Sequence, residues 1–458
     1  MDPLLGHPYV PNSAPDVRRR MLDALGLDDV RQLYAEIPTD LQLDRLLNLP
    51  QPIMAERELE REVSATLAVG SHLRPHLSFL GAGTFPHAVP AVVDEVVGRS
   101  EFLTAYAGEP YEDHGRFQAL FEYQSLMAEL VEMDVVTVPT YDGYQAAATG
   151  LSMATRITGR GEVVVASVAD VGKYSKIRDY LGPNVVIRQN RVDKTTELVD
   201  LEALSAALTD RTAAVYVETP NFFGTLEPCI EDIAAITHSV GAILVVGTDP
   251  ICLGVVRPPA TLGADITCGD IQSLGVGQWY GGAHGGFIAV NDIPRFVFEL
   301  PSRLFGLAST SVAGEYGFGD VAYTRTSFAK REEGKEWVGT AAALWGIAAA
   351  VYLSLMGPQG MAEIGNTVLT RTKYAMERIS RVPGLEVLHS TAEHFREFVI
   401  DVSDTGRSGL DLLTAIRELG IEPGVLIHPE RLLVCVTEIH SQSDIDSLIS
   451  AVDSVVSP

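Results

Sequence analysis

Cysteine is scarce in this chain, which has four in 458 residues. Cys229, Cys252, Cys268 and Cys435 show no C-x-x-C spacing, and most of them lie within apolar runs. This distribution argues against a zinc site or a disulfide framework and is typical of buried thiols in a reducing compartment. We therefore expect no bound metal and a cytoplasmic protein.

Basic residues are too few to balance the acidic ones. The chain has 34 Lys and Arg against 60 Asp and Glu, a net charge of −26. Such a surface repels phosphate backbones and anionic lipid, so neither nucleic acid nor a membrane is an expected partner. Simple solubility accounts for the charge equally well.

Long apolar runs are absent as well. The longest, residues 341–355, contains Gly346 and stops at Met356-Gly-Pro, short of the roughly 20 residues that a membrane helix needs. The first residues, Met-Asp-Pro-Leu-Leu-Gly-His-Pro, lack the basic region and apolar core of a secretory signal. What remains is an ordinary globular composition, with 46% hydrophobic and 21% charged residues.

Short amphipathic stretches separated by prolines fill residues 1–75. Asp16–Leu25 has apolar residues at helical spacing, and Asp28–Tyr34 follows after a glycine. Because isolated short helices are marginally stable, we expect a helical N-terminal arm that covers the main domain or a partner. For the same reason we expect an obligate oligomer.

Strand and helix patterns alternate from residue 162 onward. Strand-like runs begin at 162, 184, 212, 242, 266 and 287, with helical segments at 200–208 and 229–240. The alternation predicts a mostly parallel sheet in a large α/β domain, residues 76–330, in which 296–319 forms an irregular functional loop. Connecting helices (331–382) and a small α+β C-terminal domain (383–458) complete the expected order.

The most informative stretch is 262–290, in which a glycine-dense loop separates two strand-like runs. Six glycines fall between Gly275 and Gly286, a density that permits close backbone approach, either around a ligand or in a tight turn. The preceding strand-like run, 241–247, ends at Thr248-Asp249-Pro250. Because ligands bind beyond the carboxyl ends of parallel strands, a pocket is expected there.

Further segments hold candidate polar groups. The loop 100–115 is dense in titratable side chains, among them Tyr106, Glu112 and His114. Such a loop could supply an acid–base pair or be a solvated acidic surface. Tyr141 and Asp142 precede a helical run; Asp142 suits an N-cap, and the amides of a helix start also favour phosphate. His284 is either a pocket residue or a structural hydrogen-bonding group.

Several ordered motifs resemble one protein family. They include Tyr9-Val-Pro-Asn, Leu33-Tyr-Ala-Glu-Ile-Pro, Ser78-Phe-Leu-Gly-Ala-Gly, Pro220-Asn-Phe-Phe-Gly, Gly269-Asp-Ile-Gln, Tyr280-Gly-Gly-Ala-His-Gly-Gly-Phe and Leu433-Val-Cys-Val-Thr-Glu. Over nearly its whole length the chain resembles the α subunit (subunit 1) of the glycine decarboxylase P-protein, the form in which the enzyme is split into two homologous chains. The resemblance implies a large domain of the aspartate-aminotransferase-like type, pyridoxal-phosphate fold type I.

The resemblance also bears on the cofactor. In related catalytic enzymes an Asp holds the pyridinium nitrogen and a Lys forms the Schiff base. The corresponding places here are Val246 and Gln272, unless a different loop register brings in Asp249, and Tyr144 would crowd the phosphate end. No cofactor is therefore expected on this chain, and pyridoxal phosphate is expected on the partner β subunit. The candidates for the pocket lining are Tyr106, Glu112, His114, Tyr141, Asp142, Asp249, Gln272, Tyr280, His284 and Lys335.

Three functions stay open on this basis. The first is a non-catalytic subunit that shapes the site of a homologous β subunit, which decarboxylates glycine and transfers the aminomethyl group to the lipoyl H-protein. In that case 106–114 and His284 are expected to affect the partner's chemistry rather than folding. The second is a diverged homologue that acts on another small amino acid, with the same β partner or alone, suggested by Tyr144, Gln145, Glu112–His114 and the bulky Trp337. The third is a purely structural or regulatory partner.

Overall fold

The structure is a computed structural model that describes residues 9–11, 13–45, 47–69, 77–102, 114–167, 170–301, 303–335 and 342–456. The chain forms two compact units, Met1–Ser71 and His72–Pro458. None of the helices in the described ranges is both long and apolar enough to cross a membrane. The finer division at residues 76, 331 and 383 stays a prediction.

The first unit consists of short helices. Helix α1 (Pro15–Leu25) and a 3₁₀ helix (Val30–Tyr34) confirm the two helices predicted for the arm, and α2 (Glu56–Val69) is an additional one. Helix α1 ends at Gly26, which adopts the left-handed conformation (φ 69°) and donates its N–H to carbonyls of the last turn. Many apolar side chains of this unit stay exposed, among them Met21, Leu25, Leu33, Leu59 and Leu67.

The second unit begins with β1 (Leu77–Ser78), and a seven-stranded sheet forms its centre. The strands are β2 (Val135–Val136), β3 (Glu162–Val165), β4 (Val186–Gln189), β5 (Thr212–Thr219), β6 (Ile243–Thr248), β7 (Ile266–Asp270) and β8 (Gly286–Val290). They lie in the order β2-β8-β7-β6-β5-β3-β4. Strands β3 to β7 are parallel, whereas β8 runs antiparallel to both of its neighbours. The predicted mostly parallel sheet is confirmed.

Helices cover both faces of this sheet. They are α3 (Ala91–Val97), α4 (His114–Val131), α5 (Gly143–Thr158), α6 (Val171–Leu181), α7 (Leu201–Ala207) and α8 (Ile230–Ser239). Strand β6 is buried along its length, and its side chains alternate between two apolar clusters. Leu244 and Val246 belong to one cluster, and Ile243 and Val245 to the other. This alternation follows from the two-residue period of a strand that is covered on both faces.

The prediction of an irregular loop over residues 296–319 is wrong. The segment contains the end of α9 (Pro294–Val297) and an antiparallel hairpin of β9 (Leu304–Ser309) and β10 (Tyr316–Val321), after which comes α10 (Ser327–Lys330). The guanidinium of Arg303 pairs with the carboxylate of Asp320 at the base of the hairpin (2.8 Å from Nε to Oδ1). Gly306, Gly317 and Gly319 interrupt the apolar alternation and hide the strands in the sequence.

The carboxyl-terminal part starts with α11 (Ala343–Ile379). It is kinked at Gly357, whose backbone is not helical (φ 59°, ψ −177°) and which precedes Pro358; the segments on either side correspond to the connecting helices predicted within 331–382. The elements that follow are β11 (Glu386–Val387), β12 (Glu397–Asp401), α12 (Gly409–Glu418), β13 (Ile421–Glu422), β14 (Val425–His428), β15 (Arg431–Cys435) and α13 (Gln442–Val456). An antiparallel sheet of order β11-β12-β15-β14 results, and β13 pairs with β1.

Candidate functional site

A cavity of about 360 Å³ lies beyond the carboxyl ends of β5, β6 and β7. Glu218 lies near the end of β5, Asp249 follows β6, and Asp270 ends β7. The parallel register brings the three carboxylates to one edge of the sheet. The pocket predicted from the strand ends is therefore present.

The glycine-dense loop packs against another part of the chain beside this cavity. Gly286 exchanges backbone hydrogen bonds with Thr140, with N–O distances of 2.8 and 3.1 Å. A Cβ on Gly286 would lie 2.1 Å from the carbonyl oxygen of Asp142, an approach that glycine alone permits. Glycine at position 286 therefore allows the backbone of this loop to pack closely against the backbone of residues 140–142.

Helix α5 begins at that contact. Asp142 is its N-cap, and the carboxylate accepts a hydrogen bond from the N–H of Gln145 (2.6 Å). The N–H of Gly143 donates to Oδ2 of Asp270 (2.7 Å). The N-cap interpretation of Asp142 is confirmed, and two carboxylates occupy amides that would otherwise attract an anion.

His284 lines the cavity and connects two of its walls. Its Nδ1 lies 3.0 Å from Oδ2 of Asp270, and its Nε2 lies 2.9 Å from the hydroxyl of Thr84. Burial lowers the pKa of His284, but the hydrogen bond and the charge of Asp270 outweigh burial, and the pKa is raised overall. The imidazole therefore stays charged to a higher pH than a free histidine.

Gln272 follows the end of β7 and is 2% exposed. Its amide oxygen accepts the N–H of Phe85 (2.9 Å), and its Nε2 donates to the carbonyls of Phe85 and Val276 (3.0 Å each). Both amide protons and the oxygen are thus engaged by backbone. Gln272 holds the segment around Phe85 on the loop after β7.

Asp249, and not Val246, brings a carboxylate to the cavity. Val246 is fully buried in an apolar cluster, so its assignment to the pyridinium position is contradicted. The Oδ1 of Asp249 accepts the N–H groups of Ile251 and Cys252 (2.9 and 3.2 Å), and its Oδ2 pairs with the guanidinium of Arg396. The alternative register with Asp249 is the one that the geometry supports.

Arg396 links the C-terminal sheet to the cavity. Its Nη1 donates to Nε2 of His87 (2.9 Å), and its guanidinium lies 3.3 Å from the ring centroid of Phe85. Because arginine can only donate, Nε2 of His87 accepts, and Nδ1 of His87 donates to Glu438 (2.7 Å). Nothing in the local sequence signals these contacts, because each hydrogen bond joins two residues that lie more than 300 positions apart.

A buried ion pair, also missed from the sequence, forms another wall. The ammonium of Lys173 pairs with Oε1 of Glu218, which also accepts the hydroxyl of Tyr216 (2.6 Å). The ring of Tyr144 lies 5.3 Å from the Lys173 ammonium. Burial lowers the pKa of Lys173, but the charge and hydrogen bond of Glu218 outweigh it, and the pKa is raised. A cap-like Asp170 ahead of a helical run is the sequence signal that could have located Lys173 at a strand–helix junction.

Two further buried side chains of the cavity wall have unmet hydrogen-bonding capacity. Glu397 is 6% exposed and accepts one hydrogen bond, from the N–H of Ala82 to Oε1 (2.7 Å). Burial raises the pKa of Glu397 to about 7, although Arg396 and that N–H oppose the change. The hydroxyl of Ser273, which is 2% exposed, has no hydrogen-bond partner within the described ranges.

The remaining candidates do not line the cavity, or lie outside what the structure describes. Tyr141 is 49% exposed, and its N–H donates to the side chain of Gln145 (2.9 Å). Lys335 places its ammonium 3.5 Å from the carboxylate of Glu299 and is not among the described lining residues, and its assignment to the pocket stays a prediction. Tyr106, Glu112 and Trp337 are outside the described residues, as are the side chains of Tyr280 and of His114, where α4 begins.

Carboxylates outnumber cations around the cavity. The described lining residues supply six carboxyl groups, those of Asp142, Asp170, Glu218, Asp249, Asp270 and Glu397, and two permanent cations, Lys173 and Arg396. Both cations are paired, Lys173 with Glu218 and Arg396 with Asp249. The cavity therefore favours positive charge. No cluster of three or more potential metal ligands occurs in the part of the chain that the structure covers.

The sheet order with its antiparallel β8, the cavity at the strand ends and the small antiparallel C-terminal sheet define a class. They are the architecture of aspartate-aminotransferase-like proteins, pyridoxal-phosphate fold type I. A sphingosine-1-phosphate lyase of Burkholderia pseudomallei shares this fold, with a TM-score of 0.65 and 15% identity over 92% of this chain and 94% of that one.

Closer similarities identify the family. The family model described as glycine cleavage system P-protein matches residues 7–452. A probable glycine dehydrogenase (decarboxylating) subunit 1 of Staphylothermus marinus is 35% identical over 98% of each chain. The crystal structure of a glycine decarboxylase (P-protein) of the glycine cleavage system, in inhibitor-bound form, has a TM-score of 0.83 and 31% identity over 98% of this chain and 100% of that one. The chain belongs to the glycine cleavage system P-protein family.

Proposed function

We propose that this chain is the α subunit of a two-chain glycine decarboxylase. In this proposal it supports a homologous β subunit that carries pyridoxal phosphate, decarboxylates glycine and transfers the aminomethyl group to the lipoyl H-protein in the cytoplasm. The name "subunit 1" of the Staphylothermus marinus relative supports a two-chain enzyme. The observation that carries the proposal is the poor fit of the cofactor to the cavity of this chain.

Covalent attachment of the cofactor lacks a suitable amine. The family resemblance assigns Gln272 to the place of the Schiff-base lysine, and an amide is not a nucleophile at neutral pH. Lys173 is the lysine among the described lining residues. Its raised pKa and its pairing with Glu218 keep it a protonated ammonium, which is not a nucleophile either.

Non-covalent binding of the phosphate is disfavoured as well. At the start of α5 the amides are taken by Asp142 and Asp270. At the start of α6 the N–H groups of Gly172 and Lys173 donate to Asp170 (2.7 and 3.1 Å). A phosphate at either helix would meet carboxylates instead of free amides.

The pyridinium end of the cofactor fits no better. Asp249 lies at the right strand end, but the guanidinium of Arg396 already neutralises its carboxylate. A pyridinium would have to compete with that buried ion pair. These residues do not fit the cofactor, so the catalytic steps are assigned to the β subunit, and this chain contributes structure around the shared site.

The test is reduction of the assembled complex with borohydride. The chain is co-expressed with a homologous subunit 2, incubated with pyridoxal phosphate, reduced and mapped by peptide mass spectrometry. We expect a cofactor adduct on a lysine of the partner and none on this chain. We also expect release of carbon dioxide from glycine to require both chains and lipoylated H-protein.

Two controls make the result decisive. The isolated chain, treated identically, should stay colourless. The variant Lys173→Arg keeps the charge opposite Glu218 but removes the amine, so it should leave the labelling pattern unchanged. An adduct on Lys173, Lys330 or Lys335, or carbon dioxide release by this chain alone, would overturn the proposal.

A further inference from the structure

The cavity keeps the volume of a ligand site although its charge does not suit the family's cofactor. We propose that it binds a small organic cation with a primary ammonium group. The inference goes beyond the subunit role, because it concerns a ligand of this chain itself.

Charge is the first argument. Lys173 and Arg396 each face a carboxylate of their own, Glu218 and Asp249. The carboxylates of Asp142, Asp170 and Asp270 remain, and His284, on Asp270, is the other described lining residue that can carry positive charge. In a recessed site this excess of carboxylates attracts a cation more strongly than it would at the surface.

An unmet hydrogen-bond acceptor is the second argument. Glu397 lines the cavity and is 6% exposed. It uses Oε1 for the N–H of Ala82, and its Oε2 accepts no hydrogen bond from the residues that the structure describes. Polar groups of buried residues are normally satisfied. A primary ammonium offers three N–H donors and no acceptor, which matches this oxygen.

The size and the walls of the cavity fit a small amine. A volume of about 360 Å³ is at the lower end of the range usual for small-molecule sites. The rings of Phe85, Tyr144 and Phe222 line it beside the carboxylates. Aromatic faces accommodate both an alkyl chain and a positive charge.

An amine fits better than an amino acid or an anion. The carboxylate of an amino acid would need a cation, and Arg396 is already engaged by Asp249 and His87. Inorganic phosphate would face the capped amides of α5 and α6. Both are therefore expected to bind much more weakly than an amine of similar size.

The binding experiment uses the purified full-length chain in an amine-free buffer. Propylamine, ethanolamine and putrescine are titrated by calorimetry, and their effect on the melting temperature is measured. Glycine, inorganic phosphate, NaCl and MgCl₂ at matched ionic strength are the comparison ligands. We expect the amines to bind with one site, to raise the melting temperature, and to bind more weakly as ionic strength increases.

Two variants locate the site. Glu397→Gln replaces the unpartnered acceptor but keeps an oxygen for the N–H of Ala82, and Asp142→Asn removes one charge but keeps an oxygen for the cap of α5. Each should weaken amine binding about tenfold, the effect of losing one charge-assisted hydrogen bond. The matched control is Asp200→Asn, since Asp200 caps α7 through the N–H of Ala203 (2.9 Å) and lies outside the cavity lining. It should bind the amines like the wild type.

Three results would contradict the proposal that the cavity binds a small amine. Absence of amine binding by the folded wild-type chain overturns the proposal, and so does stabilisation by MgCl₂ or NaCl as strong as by the amines. Unchanged affinity in both folded cavity variants overturns it as well. If one variant does not fold, the other decides, because the two residues lie on different elements, the N-cap of α5 and strand β12.

Discussion

Glu397 places a carboxyl group where its charged form is disfavoured. Burial raises the pKa of Glu397 from 4.5 to about 7; nearby Asp249 adds to this effect and Arg396 opposes it. Between these two values the folded chain holds a proton that the unfolded chain releases. The folded state is therefore favoured at low pH, and the contribution of Glu397 to stability falls as the pH rises from about 4.5 to about 7.

The variant Glu397→Gln should remove this pH dependence. Glutamine keeps an oxygen for the N–H of Ala82 but has no charge to desolvate. Relative to the wild type, the free energy of unfolding should increase by up to about 3 kcal/mol at about pH 8, and the gain should shrink near pH 5. Chemical denaturation at both pH values measures the difference.

The control for this prediction is Glu386→Gln. Glu386 belongs to the same C-terminal sheet and is exposed, so its substitution should leave the pH profile of stability close to that of the wild type. A stability difference for Glu397→Gln that is the same at both pH values would contradict the buried-charge explanation.

The positions of individual site residues differ in how well they can be predicted from the sequence. Asp142 and Gln272 stand next to a helix start and a strand end, and both boundaries follow from local patterns, so their places were predictable. Glu397 reaches the cavity only through tertiary structure, and no local pattern points to it; for Lys173 the cap-like Asp170 is a local signal, but its pairing with Glu218 depends on tertiary structure. Val246 was misplaced because the run of apolar residues identifies β6 but not the residue at which the strand leaves the sheet.

At the scale of the elements, the packing of β8 against the start of α5 depends on one close backbone contact. Gly286→Ala would place a methyl group within 2.1 Å of the carbonyl oxygen of Asp142, and backbone on one side would have to move. We expect a loss of at least about 2 kcal/mol in the free energy of unfolding, typical of overpacking against backbone. Denaturant titration with a fitted m-value measures this loss.

Gly282→Ala is the matched substitution in the same loop. Gly282 has φ −102°, and the nearest atom to an added Cβ is 3.4 Å away, so this variant should cost well under 1 kcal/mol. Equal stability of the two variants would show that the contact at Gly286 relaxes easily and would refute the prediction.

Elements with an unbroken periodic pattern were the predictable ones. Strands β5 to β7 are continuous apolar runs bounded by turn residues, which is typical of buried parallel strands. The hairpin of β9 and β10 was missed because three glycines remove side chains from the alternation. The kink of α11 was recognisable, since Gly357 and Pro358 together interrupt a helical pattern.

At the scale of the whole molecule, the first unit (residues 1–71) leads us to predict that this chain associates with other protein chains. Its short helices expose Leu25, Leu33 and Leu67, and exposed apolar side chains in such number favour an interface. Size-exclusion chromatography with light scattering should show a dimer or aggregates of the isolated chain, and a larger defined complex after co-expression with subunit 2. A stable, compact monomer at micromolar concentration would refute this expectation.

The hydrogen bonds of Gln272 also bear on whether a single substitution could give this chain a Schiff-base lysine. A change of its codon to lysine would supply an amine, but a lysine ammonium only donates, so the N–H of Phe85 would lose its acceptor. The new amine would stand in a cavity whose helix amides are already capped by carboxylates. On the proposed function, Gln272→Lys alone would therefore cost a buried hydrogen bond without creating a site that fits the cofactor, so covalent catalysis on this chain would require several simultaneous changes.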